Sequence, residues 1–209
     1  VLDTSIFARV SPAQKLDLIA VHQNNNSIVA MTGDGVNDAP ALKKADIGVA
    51  MGKRGTQVAQ EASDMVLKDD AFASIVTAIE YGRIIFNNIR KFILFLLSGN
   101  VGEVLAVGIA SFMALPLPLL PLQILFINLV MDVFPALALG VGAAHKDVMK
   151  TPPRDADEPV INAYYWKMIV WFGFVIAVSV LGSLIIGMEF LDLDQRQTVT
   201  VSFLTLAFA

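Results

Sequence analysis

The chain has 209 residues, 56% of them hydrophobic and 16% charged, with a mean hydropathy of +0.65 and a formal net charge of −4. An ordinary soluble domain carries about a quarter charged residues, so the composition excludes one. No basic tract interleaved with aromatics points to a nucleic-acid partner, and without cysteine there is neither a disulfide framework nor a thiolate metal site.

The first stretch of regular structure is "SPAQKLDLIAVHQ", with Ser11 as N-cap, Pro12 at the first helical position and Leu16, Ile19 and Ala20 on one face. "SIVAMTG" follows as a buried strand ending in a glycine turn. "NDAPALKKA" reads as a short helix, "IGVAM" as a strand, "TQVAQEAS" as a helix and "DMVLK" as a strand. Strands separated by helices of this length predict right-handed βαβ units in a parallel sheet. Ligands of such sheets bind at the carboxyl ends of the strands, which is where "TGDG" falls.

Charge then thins out. Residues 1–91 hold ten basic and ten acidic side chains, whereas 92–144 hold only Glu103 and Asp132. From about Ala71 a helical pattern runs unbroken to Met113, about 60 Å at 1.5 Å per residue. That is twice a hydrocarbon core, so the helix is expected to start as a stalk outside the membrane. Membrane spans are expected at about 92–113, 122–142 and 163–188, and the start of a fourth at 198–209. "ALPLPLLP" is a tight turn that makes the first two spans antiparallel neighbours, and Tyr164, Tyr165 and Trp166 form an interfacial belt. The fold class is therefore α/β plus a multi-spanning α-helical membrane domain: residues 1–80 form a cytoplasmic domain and 81–209 the transmembrane domain. Arg83, Arg90 and Lys91 precede the first span, and His145, Lys146, Lys150 and Arg154 follow the second. By the positive-inside rule the α/β domain and the 143–162 loop are cytoplasmic. His22 and His145 lie outside the spans and read as ordinary surface or interface residues. The opening "VLDTSIFARV" lacks both Met and a signal-peptide pattern, and the chain stops in the apolar run "VSFLTLAFA", which reads as a fragment.

Two polar clusters carry chemistry. In "MTGDGVNDAPAL", Asp34 and Asp38 stand four apart across a turn, and Gly33 and Gly35 let the backbone approach closely. Phosphoryl transfer needs carboxylates for Mg²⁺ and a cation for the phosphoryl oxygens. One carboxylate can hold the metal while the other supports it or its waters. Asn37 can donate to a phosphoryl oxygen, and Lys15, early in its helix, can neutralise phosphate charge. The bland alternative is an Asx-rich surface turn with a solvated lysine.

The second cluster lies within the spans. An ionisable side chain in hydrocarbon costs about 2.5–3.5 kcal/mol even on lenient scales. Asn100 and Glu103 are three apart in the first span and Asn128 and Asp132 four apart in the second, so their faces can meet. Pro135 has no N–H and leaves the Met131 carbonyl without its helical partner. Two amides, two carboxylates and a carbonyl make an oxygen-only set suited to hard cations, not to copper or zinc. A polar cluster that merely binds two helices together is the alternative. Gly99, Gly102 and Gly108 permit close helix packing or a hinge, and the Phe92–Phe95 and Trp171–Phe174 aromatics read as lipid or helix contacts.

"TGDGVNDAPAL" resembles the hinge signature of the P-type ATPases, within their haloacid-dehalogenase-like phosphorylation domain. "ARVSPAQK" resembles the segment carrying that domain's lysine, here Lys15. "DVMKTPPR" and "ILFINLVMDVFPALALG" resemble the cytoplasmic loop and sixth membrane helix of the calcium-pump branch. The resemblance covers essentially the whole chain. It implies Asp34 as Mg²⁺ ligand, Asn37 and Asp38 in support of phosphoryl transfer, and Thr32, Gly33 and Gly35 as the loop against the phosphate. It also implies Asn100, Glu103, Asn128, the Met131 carbonyl and Asp132 as ligands of transported Ca²⁺. Met131 stands where two-ion pumps carry a threonine and resembles one-ion pumps for Ca²⁺ or Mn²⁺, whereas Glu103 resembles the two-ion type.

"DKTGT", the actuator "TGE" loop, the ATP-binding domain and the first four membrane helices are absent. The implied partners are membrane lipid, the transported cation and the missing N-terminal portion of the same pump, and the fragment alone is expected to be inactive. A P-type pump for Na⁺, H⁺ or Mn²⁺, and a truncated non-catalytic membrane protein, are the alternatives. Heavy-metal pumps are disfavoured: they resemble this family but carry only about two spans after the hinge and use cysteine ligands.

Overall fold

The computed structural model describes residues 4–143, 147–155 and 157–209, so the orientation argument from His145 and Lys146 falls outside the described residues. The chain forms two units: Val1–Tyr81 with Pro153–Asp157, and Gly82–Pro152 with Glu158–Ala209.

The first unit is a small α/β layer. Helix α1 (Pro12–Asn24) starts at a capping box in which Ser11 and Gln14 satisfy each other's backbone N–H. Strands β1 (Ala30–Gly33), β2 (Ile47–Met51) and β3 (Met65–Leu67) pair in parallel in that order, Gly33 opposite Ala50 and Met51 opposite Leu67. Strand β1 is shorter than the run "SIVAMTG". The expected helix over "NDAPALKKA" opens as a 3₁₀ turn, Val36–Asp38, before α2 (Ala39–Lys44). Helix α3 (Gln57–Glu61) is capped by Thr56. Alternation along β2 sends Ala50 to one face, with Leu42 and Ala59, and Val49 and Met51 to the other, with Leu67 and Ile75. Because the strands are parallel, the loops that follow β1, β2 and β3 emerge at one edge of the sheet.

Helix α4 (Ala73–Phe112) starts in the first unit and continues without interruption through 40 residues into the second. Among the described residues, three helical stretches are long and apolar enough to cross a membrane: Ala73–Phe112, Pro121–Gly140 and Ala163–Glu189, the last being α7. Helix α8 (Gln195–Ala207) begins at an Asp194 cap, slightly ahead of the expected 198.

The second span differs from expectation. It is α5 (Pro121–Phe126), a π turn over Ile127–Met131, and α6 (Val133–Gly140). The Asp132 N–H reaches back five residues to the Ile127 carbonyl at 2.9 Å. The helix is thus already widened before Pro135, and such single wide turns concentrate at functional sites.

Of the three glycines expected to allow close packing in α4, only Gly102 does so. A Cβ there would lie 2.6 Å from Ile176 Cγ2, and one at Gly173 of α7 would lie 2.5 Å from Val101 Cγ1; Gly99 and Gly108 have open space. The two helices touch through this glycine pair. The segment after the second span is tied to α4 by three side chains. Arg83 donates to the Val148 and Thr151 carbonyls, and Asn88 to those of Gly140 and Gly142. Arg90 pairs with Glu158 at 2.6 Å and lies over the Phe86 and Tyr165 rings.

Candidate functional site

At the carboxyl edge of the sheet, Gly33 ends β1 and the chain turns through Asp34 into the 3₁₀ turn. Asp38 is buried, and both of its carboxylate oxygens are engaged. Oδ1 meets Lys15 Nζ at 2.5 Å, and Oδ2 accepts the backbone N–H groups of Asp34 (3.3 Å) and Gly35 (3.2 Å). Burial pushes the Asp38 carboxyl up; the Lys15 hydrogen bond and charge and the two backbone N–H groups outweigh it and hold it below the usual carboxylate value. Asp38 thus anchors Lys15 and folds the loop under Asp34, a supporting place beside the Asp34 carboxylate. The two loop glycines also differ. A Cβ at Gly33 would sit 2.6 Å from Asp38 Cβ, whereas one at Gly35 would make ordinary contact.

Asp34 is the complementary case. Its N–H is held by Asp38 and its carbonyl by the Thr56 N–H at 2.8 Å, while its carboxylate is exposed and takes no hydrogen bond among the described residues. Mg²⁺ is commonly held by one or two carboxylates together with substrate phosphate oxygens. A free carboxylate on a backbone fixed from both sides fits that demand. Asn37 is likewise exposed, with its amide uncommitted among the described residues, and Thr32 lies in β1 beside Gly33.

In the second unit, Glu103 is 6% exposed although it lies in an apolar helix. Its Oε2 accepts the side-chain N–H of Asn128 at 3.3 Å. Glu103, Met131 and Asp132 line one cavity of about 820 Å³, together with Pro135 and Ser98. Ser98 Oγ is buried and finds no hydrogen-bond partner among the described residues. Asn128 comes from the π turn and Asp132 directly follows it. Asn100 is not brought to this cluster. It is exposed, and its amide donates to the Leu96 carbonyl one turn back at 2.9 Å. Helical spacing puts Asn100 near the Glu103 face, but a mid-helix asparagine can satisfy itself on its own backbone.

Two family models match the chain. Residues 13–79 match haloacid dehalogenase-like hydrolases and residues 116–209 match the cation transporting ATPase C-terminus. This chain belongs to the cation-transporting P-type ATPases. It is 51% identical to a calcium-transporting ATPase of Bacillus subtilis (strain 168), covering 99% of this chain and 23% of that protein. It is 48% identical to calcium-transporting ATPase 1 of Yarrowia lipolytica, over 98% of this chain and 22% of the relative. Identity to an endoplasmic reticulum-type calcium-transporting ATPase of Arabidopsis thaliana is 44%, over 97% and 20%. The P-type ATPase chain therefore spans under a quarter of the length of these curated relatives.

Sequence reasoning missed several residues of this P-type ATPase chain that shape the two clusters. Asp70, Gln60 and Thr56 brace the loop beside Asp34, and Ser98 lines the membrane cavity. A hydroxyl inside an apolar span was a readable signal for Ser98. The others look like ordinary surface polar residues until the fold places them.

Proposed function

We propose that this chain supplies part of the phosphorylation site and part of the ion site of an ATP-driven calcium pump. The observation that carries the reading is the Glu103–Asn128 hydrogen bond between two membrane-spanning stretches, with Asp132 lining the same cavity as Glu103. The relatives' names, calcium-transporting ATPases, support Ca²⁺ as the cargo.

In this reading the γ-phosphoryl group of ATP passes to an aspartate of the longer protein, since these 209 residues hold no "DKTGT". Lys15, held by Asp38, presents its ammonium to the phosphoryl oxygens, and Asn37 donates a hydrogen bond to one of them. Mg²⁺, held on Asp34, would neutralise charge on the transferring group. Thr32, Gly33 and Gly35 give the phosphate its approach.

In the membrane, Glu103, Asn128, Asp132 and the Met131 carbonyl offer oxygens to the cation, which replaces the Asn128 N–H as the partner of Glu103. Asn100 would join this set by releasing the Leu96 carbonyl. A hard cation such as Ca²⁺ takes such ligands. Helix α4, unbroken from Ala73 to Phe112, carries Glu103 and is the coupling element. The first unit and the loop after the second span are cytoplasmic, and lipid covers the spans.

The test is ATP-dependent ⁴⁵Ca uptake by the full-length protein in sealed vesicles. Asp34→Ala should abolish both phosphoenzyme formation and uptake. Undiminished uptake by that variant would refute the phosphorylation half of the proposal.

A further inference from the structure

The loop that follows β2, residues 52–56, is gripped from two sides. Asp70 Oδ1 accepts the backbone N–H of Gly52 (2.7 Å) and Lys53 (2.9 Å). Asp70 Oδ2 accepts the backbone N–H of Arg54 (3.0 Å) and its side-chain Nε (3.4 Å). From the other side, Gln60 Nε2 donates to the carbonyls of Met51, Gly52 and Gly55 at 3.1–3.2 Å. The loop's last N–H, that of Thr56, points outward to the Asp34 carbonyl at 2.8 Å. We infer that Asp70 is a positioning residue for Asp34, acting through the loop 52–56 and its Thr56 N–H.

Three observations support this role over that of an ordinary surface turn. Three consecutive backbone N–H groups converging on one carboxylate form an anion-binding concavity, here filled from within the chain. The Asp70 side chain is only 8% exposed, whereas that of Arg54, its ion-pair partner, is 71% exposed, so the grip depends chiefly on the backbone N–H groups and not on the arginine. Asp70 also has φ 57°, a left-handed conformation that aspartate and asparagine tolerate better than most residues. The adjacent Asp69 is spent locally, accepting from the Ala71 N–H and the Ser74 hydroxyl. Only Asp70 reaches across the sheet edge.

A metal-binding carboxylate gains affinity when its backbone cannot drift, and loss of outer supports typically costs about 10–100-fold in metal affinity. Asp34 has two backbone anchors, Asp38 on its N–H and Thr56 on its carbonyl. Loosening the 52–56 loop frees the second. This inference rests on reading Asp34 as the Mg²⁺ carboxylate.

The experiment titrates Mg²⁺ against binding of orthovanadate, a phosphate mimic, to the full-length calcium-free protein, with no turnover required. Asp70→Asn preserves the left-handed backbone and removes the charge. Thr56→Pro removes the donated N–H and the cap hydroxyl and sets the ring Cδ against the Asp34 carbonyl, so this anchor cannot form, while the native φ of −68° suits proline. Thr56→Ala keeps the N–H and removes the same cap, so it separates loss of the anchor from loss of the cap.

Asp70→Asn and Thr56→Pro should each raise the half-saturating Mg²⁺ by about tenfold, with vanadate binding at saturating Mg²⁺ retained. Thr56→Ala should leave it unchanged. An unaltered Mg²⁺ requirement in Thr56→Pro would overturn the positioning role, whatever happens to heat stability or yield. Should Asp34→Ala itself keep the wild-type Mg²⁺ requirement, the reading of Asp34 falls first, and the inference with it.

Discussion

Asn128 donates its side-chain N–H to Glu103 across 3.3 Å, twenty-five positions along the chain and from a different membrane-spanning stretch. Apart from this bond, Glu103 sits in an apolar helix at 6% exposure. Removing the donor leaves a buried carboxyl group unsatisfied at a cost of about 1–3 kcal/mol. Asn128→Ala should therefore lower the calcium-free thermal denaturation midpoint of the full-length protein in detergent. An unchanged midpoint would show that the bond is not maintained.

The Lys15–Asp38 pair makes the loop after β1 sensitive to acid. Asp38 has its carboxyl below the ordinary value, because Lys15 and two backbone N–H groups outweigh burial. A depressed folded value stabilises fully above the unfolded value of about 3.9 and is lost as pH falls through the folded one. Hydrogen exchange at Asp34 and Gly35, corrected for intrinsic rate, should stay slow from pH 7 to about 4 and quicken only below that. Loss of protection already near pH 6 would contradict the assignment.

Gly33 and Gly35 should respond differently to alanine. At Gly33 the added methyl would meet Asp38 Cβ at 2.6 Å, and forced overpacking of this kind costs about 1–3 kcal/mol. At Gly35 the nearest atom would be at an ordinary 3.6 Å. Heat inactivation of phosphoenzyme formation should come clearly earlier for Gly33→Ala than for Gly35→Ala. Equal sensitivity would mean that the close approach of Asp38 to Gly33 is absent.

Asn88 holds the end of α6 to α4 through the carbonyls of Gly140 and Gly142. Truncation to alanine leaves two carbonyl acceptors without this donor, worth about 1–3 kcal/mol, or about a 5- to 150-fold increase in local opening. Asn88→Ala should accelerate tryptic cleavage after the exposed Lys150 by that order. A wild-type cleavage rate would show that Arg83, on the Val148 and Thr151 carbonyls either side of Lys150, holds the segment without help from Asn88.

Much of this architecture was legible because it follows from local rules. Ser11 and Pro12 mark a helix start, the apolar runs around Met31 and Val49 alternate with helical segments, and Glu103 and Asp132 stand out as charges in oily helices. The family resemblance lay in "TGDGVNDAPAL", with "ARVSPAQK", "DVMKTPPR" and "ILFINLVMDVFPALALG" beside it. What was hidden depends on tertiary partners. Asn100 and Asn128 are alike in spacing and type, yet one bonds its own helix and the other a neighbour. The π turn has no residue signature of its own, and Pro135 drew attention one turn too late. Asp69 and Asp70 are adjacent and identical; only the parallel register that brings the loop after β2 beside Asp70 distinguishes them. Gly102 differs from Gly99 and Gly108 only because Gly173 of another helix lies against it.

The most direct measurement is equilibrium ⁴⁵Ca binding to the full-length protein without ATP, comparing wild type with Glu103→Gln and Asp132→Asn. Both neutralised variants should lose high-affinity binding, by at least about a hundredfold for loss of a charged ligand to a hard cation, while orthovanadate binding in the presence of Mg²⁺ persists. Wild-type calcium affinity in both variants would contradict the claim that these two carboxylates hold the transported ion.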